Sequence, residues 1–118
     1  MNDEPAFDPS ALDKLETLGG PAFVIEMVDL FLQYAPTRLA AANEALASGD
    51  LGGVADAVHP LKTSSGHVGA RRTHELAKQT ERFARDQQRE LLSPLVGQLQ
   101  AAYLEAKPLL EAARAARA

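Results

Sequence analysis

The 118-residue sequence has no cysteine and no tryptophan, and only 5% of it is aromatic. Without cysteine there can be no disulfide scaffold, no thiolate nucleophile and no Cys-ligated zinc or iron–sulfur site. Positive charge is also in the minority: 12 Lys and Arg against 16 Asp and Glu leave a net charge of −4. No basic stripe offsets that balance, which argues against nucleic acid as a partner. Long apolar runs are missing as well. Met1-Asn2-Asp3-Glu4-Pro5 has neither the positive start nor the apolar run of a signal peptide. No uncharged stretch approaches the roughly twenty residues needed to span a bilayer. These absences lead us to expect a small, soluble, cytoplasmic domain with no membrane partner.

What the sequence does contain is alanine and leucine, with few Ile, Thr or Tyr, a composition that forms helices well and strands poorly. Glycine and proline fall mostly between periodic segments, at Gly19-Gly20-Pro21, Gly49, Gly52-Gly53, Gly66, Gly69 and Ser93-Pro94. Between them apolar residues recur in steps of three and four rather than two. The fold expected is all-α, an antiparallel four-helix bundle with a short extra N-terminal helix. The length suits one domain over residues 1–118, with its core at about 10–110 and a ragged start and end.

Asp8-Pro9 opens the short helix as cap and first-turn proline, and Leu12, Leu15 and Leu18 are assigned its apolar side. From Pro21 a longer helix presents Phe23, Met27, Val28, Phe31 and Tyr34, then Leu39, Ala42 and Leu46, and is expected to bend at Pro36. Asp50 caps the next helix, about Leu51 to His67, whose seam is Leu51, Val54, Val58, Leu61, Ser65 and Val68. A helix from about Ala70 to Asp86 turns Leu76 and Phe83 inward. The last, about Glu90 to Arg114, buries Leu92, Leu95, Val96, Leu99, Tyr103, Ala106 and Leu110, and the Ala/Arg tail from Ala112 to Ala118 is expected to fray.

Chemistry is concentrated in Asp56-Ala57-Val58-His59-Pro60-Leu61-Lys62-Thr63-Ser64-Ser65-Gly66-His67. At about 100° per residue, His59 points roughly 130° away from the seam, toward solvent. Lys62 and Thr63 are its neighbours one turn on, and the small residues Ala55 and Gly66 lie on a similar flank. A neutral imidazole is a good nucleophile near pH 7. A phosphoryl group placed on it would bring negative charge toward the Lys62 ammonium, which can stabilise it without reacting. There is no phosphate-cradling glycine loop, no carboxylate cluster for Mg²⁺ and no base paired to His59 in the pattern, so a partner has to supply the catalytic machinery. A lone exposed histidine is ordinarily just a surface residue, and Lys62 alone could be a solvated face. The three histidines of the chain, His59, His67 and His74, do not read as a metal site, because His67 lies two turns, roughly 12 Å, beyond His59. Solvent-facing or partner-facing roles are expected for His67 and His74.

The segment resembles the histidine-containing phosphotransfer (HPt) domain, with its signature His-x-Leu-Lys-Gly-Ser-Ser/Ala and a glycine ten residues after the histidine. Here it reads His59-Pro60-Leu61-Lys62-Thr63-Ser64-Ser65, followed by Gly69. The likeness extends over roughly residues 10–110, through Gly19-Gly20-Pro21, Asp29-Leu30-Phe31-Leu32 and Ala45-Leu46-Ala47-Ser48-Gly49-Asp50. It implies that His59 accepts a phosphoryl group from a receiver-domain aspartate and passes it to another, with Lys62 stabilising the phosphate. Ala55, Asp56, Thr63, Gly66 and His67 are then the expected partner-binding surface. Ser64, Ser65 and Gly69 are structural, Ser65 facing inward. The resemblance further implies a phosphocarrier, not an enzyme, that binds no cofactor or metal of its own. Its partners would be a response-regulator receiver and/or a hybrid sensor histidine kinase, with Mg²⁺ in the receiver. A monomer is expected.

Three positions depart from the pattern. Thr63 replaces the usual glycine, adding bulk and a hydroxyl. Pro60 withdraws the amide that would serve the Asp56 carbonyl, at up to about 3 kcal/mol in an ordinary helix, and predicts a kink near Asp56–Pro60. Thr73 and Thr80 stand where leucines commonly line the next helix, with hydroxyls able to bond carbonyls one turn back. Two other functions fit the same residues. One is an interaction module that regulates a partner by docking alone, which Thr63 and Pro60 favour. The other is a phosphotransfer domain excised from a hybrid or chemotaxis-type kinase.

Overall fold

A computed structural model describes residues 3–118. Four helices follow one another: α1 (Pro9–Ala47), α2 (Leu51–His67), α3 (Arg71–Arg85) and α4 (Arg89–Ala115), and no strand occurs among the described residues. Each packs mainly on two neighbours, α2 on α1 and α3, and α4 on α3 and α1, which closes the antiparallel bundle into a ring. A straight helix of 39 residues would be about 58 Å long. The longest dimension of the molecule is 42 Å, so α1 has to bend. It does so at Gly20, whose φ of 79° and ψ of 179° are not helical. The expected short N-terminal helix is therefore present, joined to the long one through a single residue instead of a loop.

The three links share one device. Asp50 N–H reaches the Ala45 carbonyl, Ala70 N–H that of Ser65, and Gln88 N–H that of Phe83, each spanning five residues. The residue before each donor, Gly49, Gly69 or Gln87, has positive φ. This is the Schellman arrangement, which satisfies terminal carbonyls while reversing the chain. At the helix starts Asp8 accepts from Ser10 N–H and Asp50 from Gly53 N–H, as their positions predict.

The core follows the three-and-four spacing, with corrections. Val24, Val28, Phe31, Ala35, Leu39 and Ala42 form the buried stripe of α1. Tyr34 is exposed, Phe23 and Met27 only half-buried, and Leu18 is 79% exposed. Two successive steps of three turn a helix about 120° off its starting face, so Leu12 and Leu18 cannot share one side. The seam of α2 is as expected except that Leu51 is only half-buried, and α4 buries Leu92, Val96, Leu99, Tyr103, Ala106 and Leu110 with Leu95 half-buried beside them. Phe31 meets Tyr103 edge to face, with ring centroids 5.7 Å apart.

The C-terminal tail is not frayed. Helix α4 continues to Ala115, Arg114 pairs with Asp29, and Arg117 donates to Glu16 and Asp13 of the first turns of α1. The N-terminal segment is similarly tied, with Asp8 N–H on the Gly69 carbonyl and Arg72 N–H on that of Pro5. Apart from Pro21, which follows the bend at Gly20, the prolines inside helices do not break them. Pro36 withdraws the amide that would serve the Leu32 carbonyl, and the Tyr103 hydroxyl of α4 donates to it at 3.3 Å. At Pro60, α2 likewise runs unbroken from Leu51 to His67, so the expected kink does not take the form of a break.

Gly69 combines a φ of 80° with close contact: a Cβ there would collide with the Asp8 carbonyl and the Ala11 methyl. Gly69→Ala is expected to cost about 2–4 kcal/mol in urea unfolding and to expose the Asp8 amide to hydrogen exchange.

Candidate functional site

Helix α2 presents His59 as its winding requires. Asp50 fixes where the helix starts, the seam faces α1 and α3, and the His59 side chain stands 60% exposed on the far side. It is not alone. Its Nδ1 lies 2.6 Å from Oε2 of Glu81 on α3, and the Lys62 ammonium lies 2.7 Å from the other carboxylate oxygen. Arg85 approaches the same carboxylate at 3.3 Å and Asp56 at 3.4 Å. The expectation that no acid–base partner attends His59 is thus corrected: Glu81 is that partner, and its side chain is only 10% exposed.

A carboxylate can only accept, so Nδ1 carries the proton of the neutral ring. Its lone pair is then at Nε2, the ring atom turned away from Glu81. Burial pushes the Glu81 carboxyl up, but hydrogen bonds from Lys62 and His59, together with their charges, outweigh it and hold it below the ordinary glutamate range. The carboxylate therefore stays ionised at neutral pH, orienting the imidazole and tethering the ammonium one turn away.

A second contact sets α2 against α3. His74 Nδ1 donates to the Lys62 carbonyl at 2.6 Å. Gly66 permits this, because a Cβ there would press to 3.2 Å from the His74 ring. His74 is accordingly half-buried and bonded within the bundle, not a free surface imidazole as expected. Ser65 is buried and bonds the Leu61 carbonyl, and Ser64 bonds that of Pro60, so both hydroxyls are occupied within α2. Thr80 bonds back to the Leu76 carbonyl as expected, whereas the buried Thr73 hydroxyl has no partner among the described residues.

Of the expected partner-binding residues, Asp56, Thr63 and His67 are exposed and Gly66 is half-buried under His74. Ala55 is fully buried with Val54, Ala84, Leu92 and Val96, so no docked partner can touch it. Its methyl sits where small residues let α2, α3 and α4 approach closely. Two surface depressions flank the His59 ridge. On the α1 side a largely apolar groove of about 330 Å³ is lined by Met27, Leu30, Tyr34, Pro60 and His67, among others. On the α3 side a polar cleft of about 440 Å³ holds Lys62, Lys78, Arg82 and Arg85 with Glu75 and Glu81. Among the described residues no group of three or more His, Asp or Glu side chains could hold a metal ion, and no helix is long and apolar enough to cross a membrane.

Glu81 did have a sequence signal. It continues Thr73, Leu76, Ala77 and Thr80 toward Ala84 at three-and-four spacing, an acidic residue on a buried face. Because its folded pKa is depressed, the Glu81 network stabilises the fold fully above the unfolded carboxyl value and is lost as pH falls through the folded one. Glu81→Gln is expected to lower stability by about 1–2 kcal/mol at pH 7, since His59 and Lys62 can rehydrate. The deficit should shrink as pH falls below the ordinary glutamate range and the wild-type carboxyl is protonated too, as urea unfolding against pH would show.

Comparison with known proteins agrees with this architecture. The family model for the Hpt domain matches residues 26–116. Among solved structures, histidine-containing phosphotransfer protein B (HptB) from Pseudomonas aeruginosa PAO1 superposes with a TM-score of 0.86 at 23% identity, covering 93% of this chain and 95% of that one. That likeness concerns the fold. No curated protein matches the sequence. The family match spans most of the chain and includes both α2 and α3, and on it the chain belongs to the Hpt domain family, which serves histidine phosphotransfer in phosphorelays.

Proposed function

We propose that His59 is the phosphoacceptor of a relay, taking a phosphoryl group from a receiver-domain aspartate and delivering it to another. The observation that carries this reading is the 2.6 Å contact between His59 Nδ1 and Glu81, which leaves Nε2 as the outward lone pair on an exposed ring. In the transfer, the Nε2 lone pair forms the N–P bond as the bond from phosphorus to the aspartyl oxygen breaks, releasing a carboxylate. The Nδ1 proton stays on the ring, and Glu81 balances the positive charge that develops there. Lys62, 30% exposed and one helical turn from His59, supplies an ammonium to the incoming phosphoryl oxygens. Reversal follows the same path, because neither side chain is consumed.

In this reading the chain is a carrier rather than an enzyme, and Mg²⁺ and the aspartate belong to the receiver. The apolar groove beside Pro60 and the exposed Leu30 and Tyr34 offer that receiver a surface with the nucleophile at its edge. Asp56, Thr63 and His67 are the exposed residues nearest the ring that such a partner would cover. Thr63 is solvent-facing, so its extra bulk meets the partner rather than the core.

Incubation with a phosphorylated receiver is expected to label the chain in an acid-labile, base-stable form, and His59→Gln should abolish the label. Lys62→Ala should slow transfer about tenfold or more without loss of helicity. Label persisting in His59→Gln would overturn the assignment. Signalling output unchanged by His59→Ala would favour docking alone.

A further inference from the structure

Pro60 stands immediately after His59 and has no amide hydrogen, so the carbonyl of Asp56, four residues back, loses its helical donor. The pyrrolidine ring also crowds that carbonyl. An ordinary helix would bend or fray there, in the turn from which His59 projects. Yet α2 is continuous through it.

The missing donor comes from another helix. Arg38 of α1 lies across the Asp56–Pro60 turn, its Nε donating to the Ala57 carbonyl at 3.0 Å and its Nη2 to the Asp56 carbonyl at 3.3 Å. A guanidinium suits this because its donors diverge in one plane and can serve two successive carbonyls, which a lysine ammonium cannot do with the same rigidity. Tyr103 does the equivalent for the carbonyl orphaned by Pro36, so the substitution of a cross-helix donor for a proline-deleted amide occurs twice in this bundle.

We infer that Arg38 is a positioning residue for His59: it replaces the amide that Pro60 lacks and thereby fixes the direction of the turn that holds the imidazole on Glu81. The backbone of this turn is held from α1 by Arg38, while the ring it carries is held from α3 by Glu81. Without Arg38 the turn loses a charged donor on two carbonyls, and the short contact to Glu81 loses its fixed base. The consequence for transfer rests on the proposed role of His59, whereas the link between Arg38 and Pro60 does not.

The link predicts a specific epistasis. In Pro60→Ala the alanine amide can serve the Asp56 carbonyl, so Arg38 should become largely dispensable. The experiment compares wild type, Arg38→Met, Pro60→Ala and the double variant, with Arg38→Lys as an intermediate. It measures unfolding, the ¹⁵N imidazole signature of His59 and the rate of labelling by a phosphorylated receiver. Arg38→Met is expected to slow labelling about fivefold and to shift His59 from the Nδ1–H tautomer toward exchange between the two, with less than about twofold change in the Pro60→Ala background. Arg38→Lys should fall between. If Arg38→Met does not fold but the double variant does, the link is supported. If both fail to fold, or if Arg38→Met has equal effects in the two backgrounds, it is overturned. A coupled loss of stability that leaves the His59 signature and the labelling rate unmoved also overturns the positioning role. Failure of wild type to accept phosphate would sink the proposed relay function alone, since the unfolding and imidazole readings would still decide the link.

Discussion

A carboxylate that is nine-tenths enclosed between helices has to be surrounded by donors, because an ionised group without partners there costs several kcal/mol. Glu81 meets that demand with His59, Lys62 and Arg85, three cations or potential cations drawn from two helices. The requirement fixes the register of α2 against α3. A slip of one turn, about 5.4 Å, would carry one of the two α2 donors out of reach and bring the other into its place, so the carboxylate would lose half of its α2 partners. His59 is therefore placed by the same contact that tells the two helices where to stop sliding. The His74 bond to the Lys62 carbonyl, made possible by Gly66, pins the register a second time at the other end of the site.

Prolines and alanines shape the rest. Much of the interior is alanine, as at Ala35, Ala42, Ala55, Ala77, Ala84 and Ala106, which lets helices approach closely but gives each little apolar area with which to lock orientation. Directional bonds between helices then matter more than they would in a leucine-rich bundle. The prolines supply places for them. Pro36 and Pro60 each free a carbonyl, and Tyr103 and Arg38 each reach across to take it. Pro108 differs because the carbonyl it frees belongs to the exposed Leu104, where solvent can serve. A residue that weakens a helix in isolation becomes, in the right orientation, a point of attachment for its neighbour.

The same features explain which parts of the structure could be read from the sequence. His59 and Lys62 were legible because both lie on one short segment whose buried seam is marked by Val54, Val58 and Leu61, so their direction follows from helical winding alone. The caps at Asp8 and Asp50 were equally local. The pairing of Glu81 with His59 is not legible in the same way, because the contact spans two helices and the face of α3 that carries it is marked mostly by Thr and Ala. Phe83, the larger landmark, sits only half-buried beside that face. Leu18 and Tyr34 misled for the opposite reason: size suggested burial, while Ala35 and Val24 occupied the true stripe. Arg117 looked like part of a solvated tail until the geometry placed Glu16 and Asp13 opposite it.

A carrier in a relay has to release what it accepts, and the charge arrangement around His59 bears on that. Lys62 attracts a phosphoryl group, but its ammonium is already shared with Glu81, and Arg85 is divided between Glu81 and Asp56. A phosphoryl group on Nε2 would draw Lys62 outward only by weakening its hold on the carboxylate. In the proposed relay Glu81 would thus orient the ring and at the same time limit how tightly a phosphoryl group is held. Had the carboxylate been replaced by a second cation, the ring would lose its fixed tautomer and the phosphate would gain a trap. In the proposed relay, the balance of one buried acid against partly exposed bases suits reversible transfer better than either storage or hydrolysis.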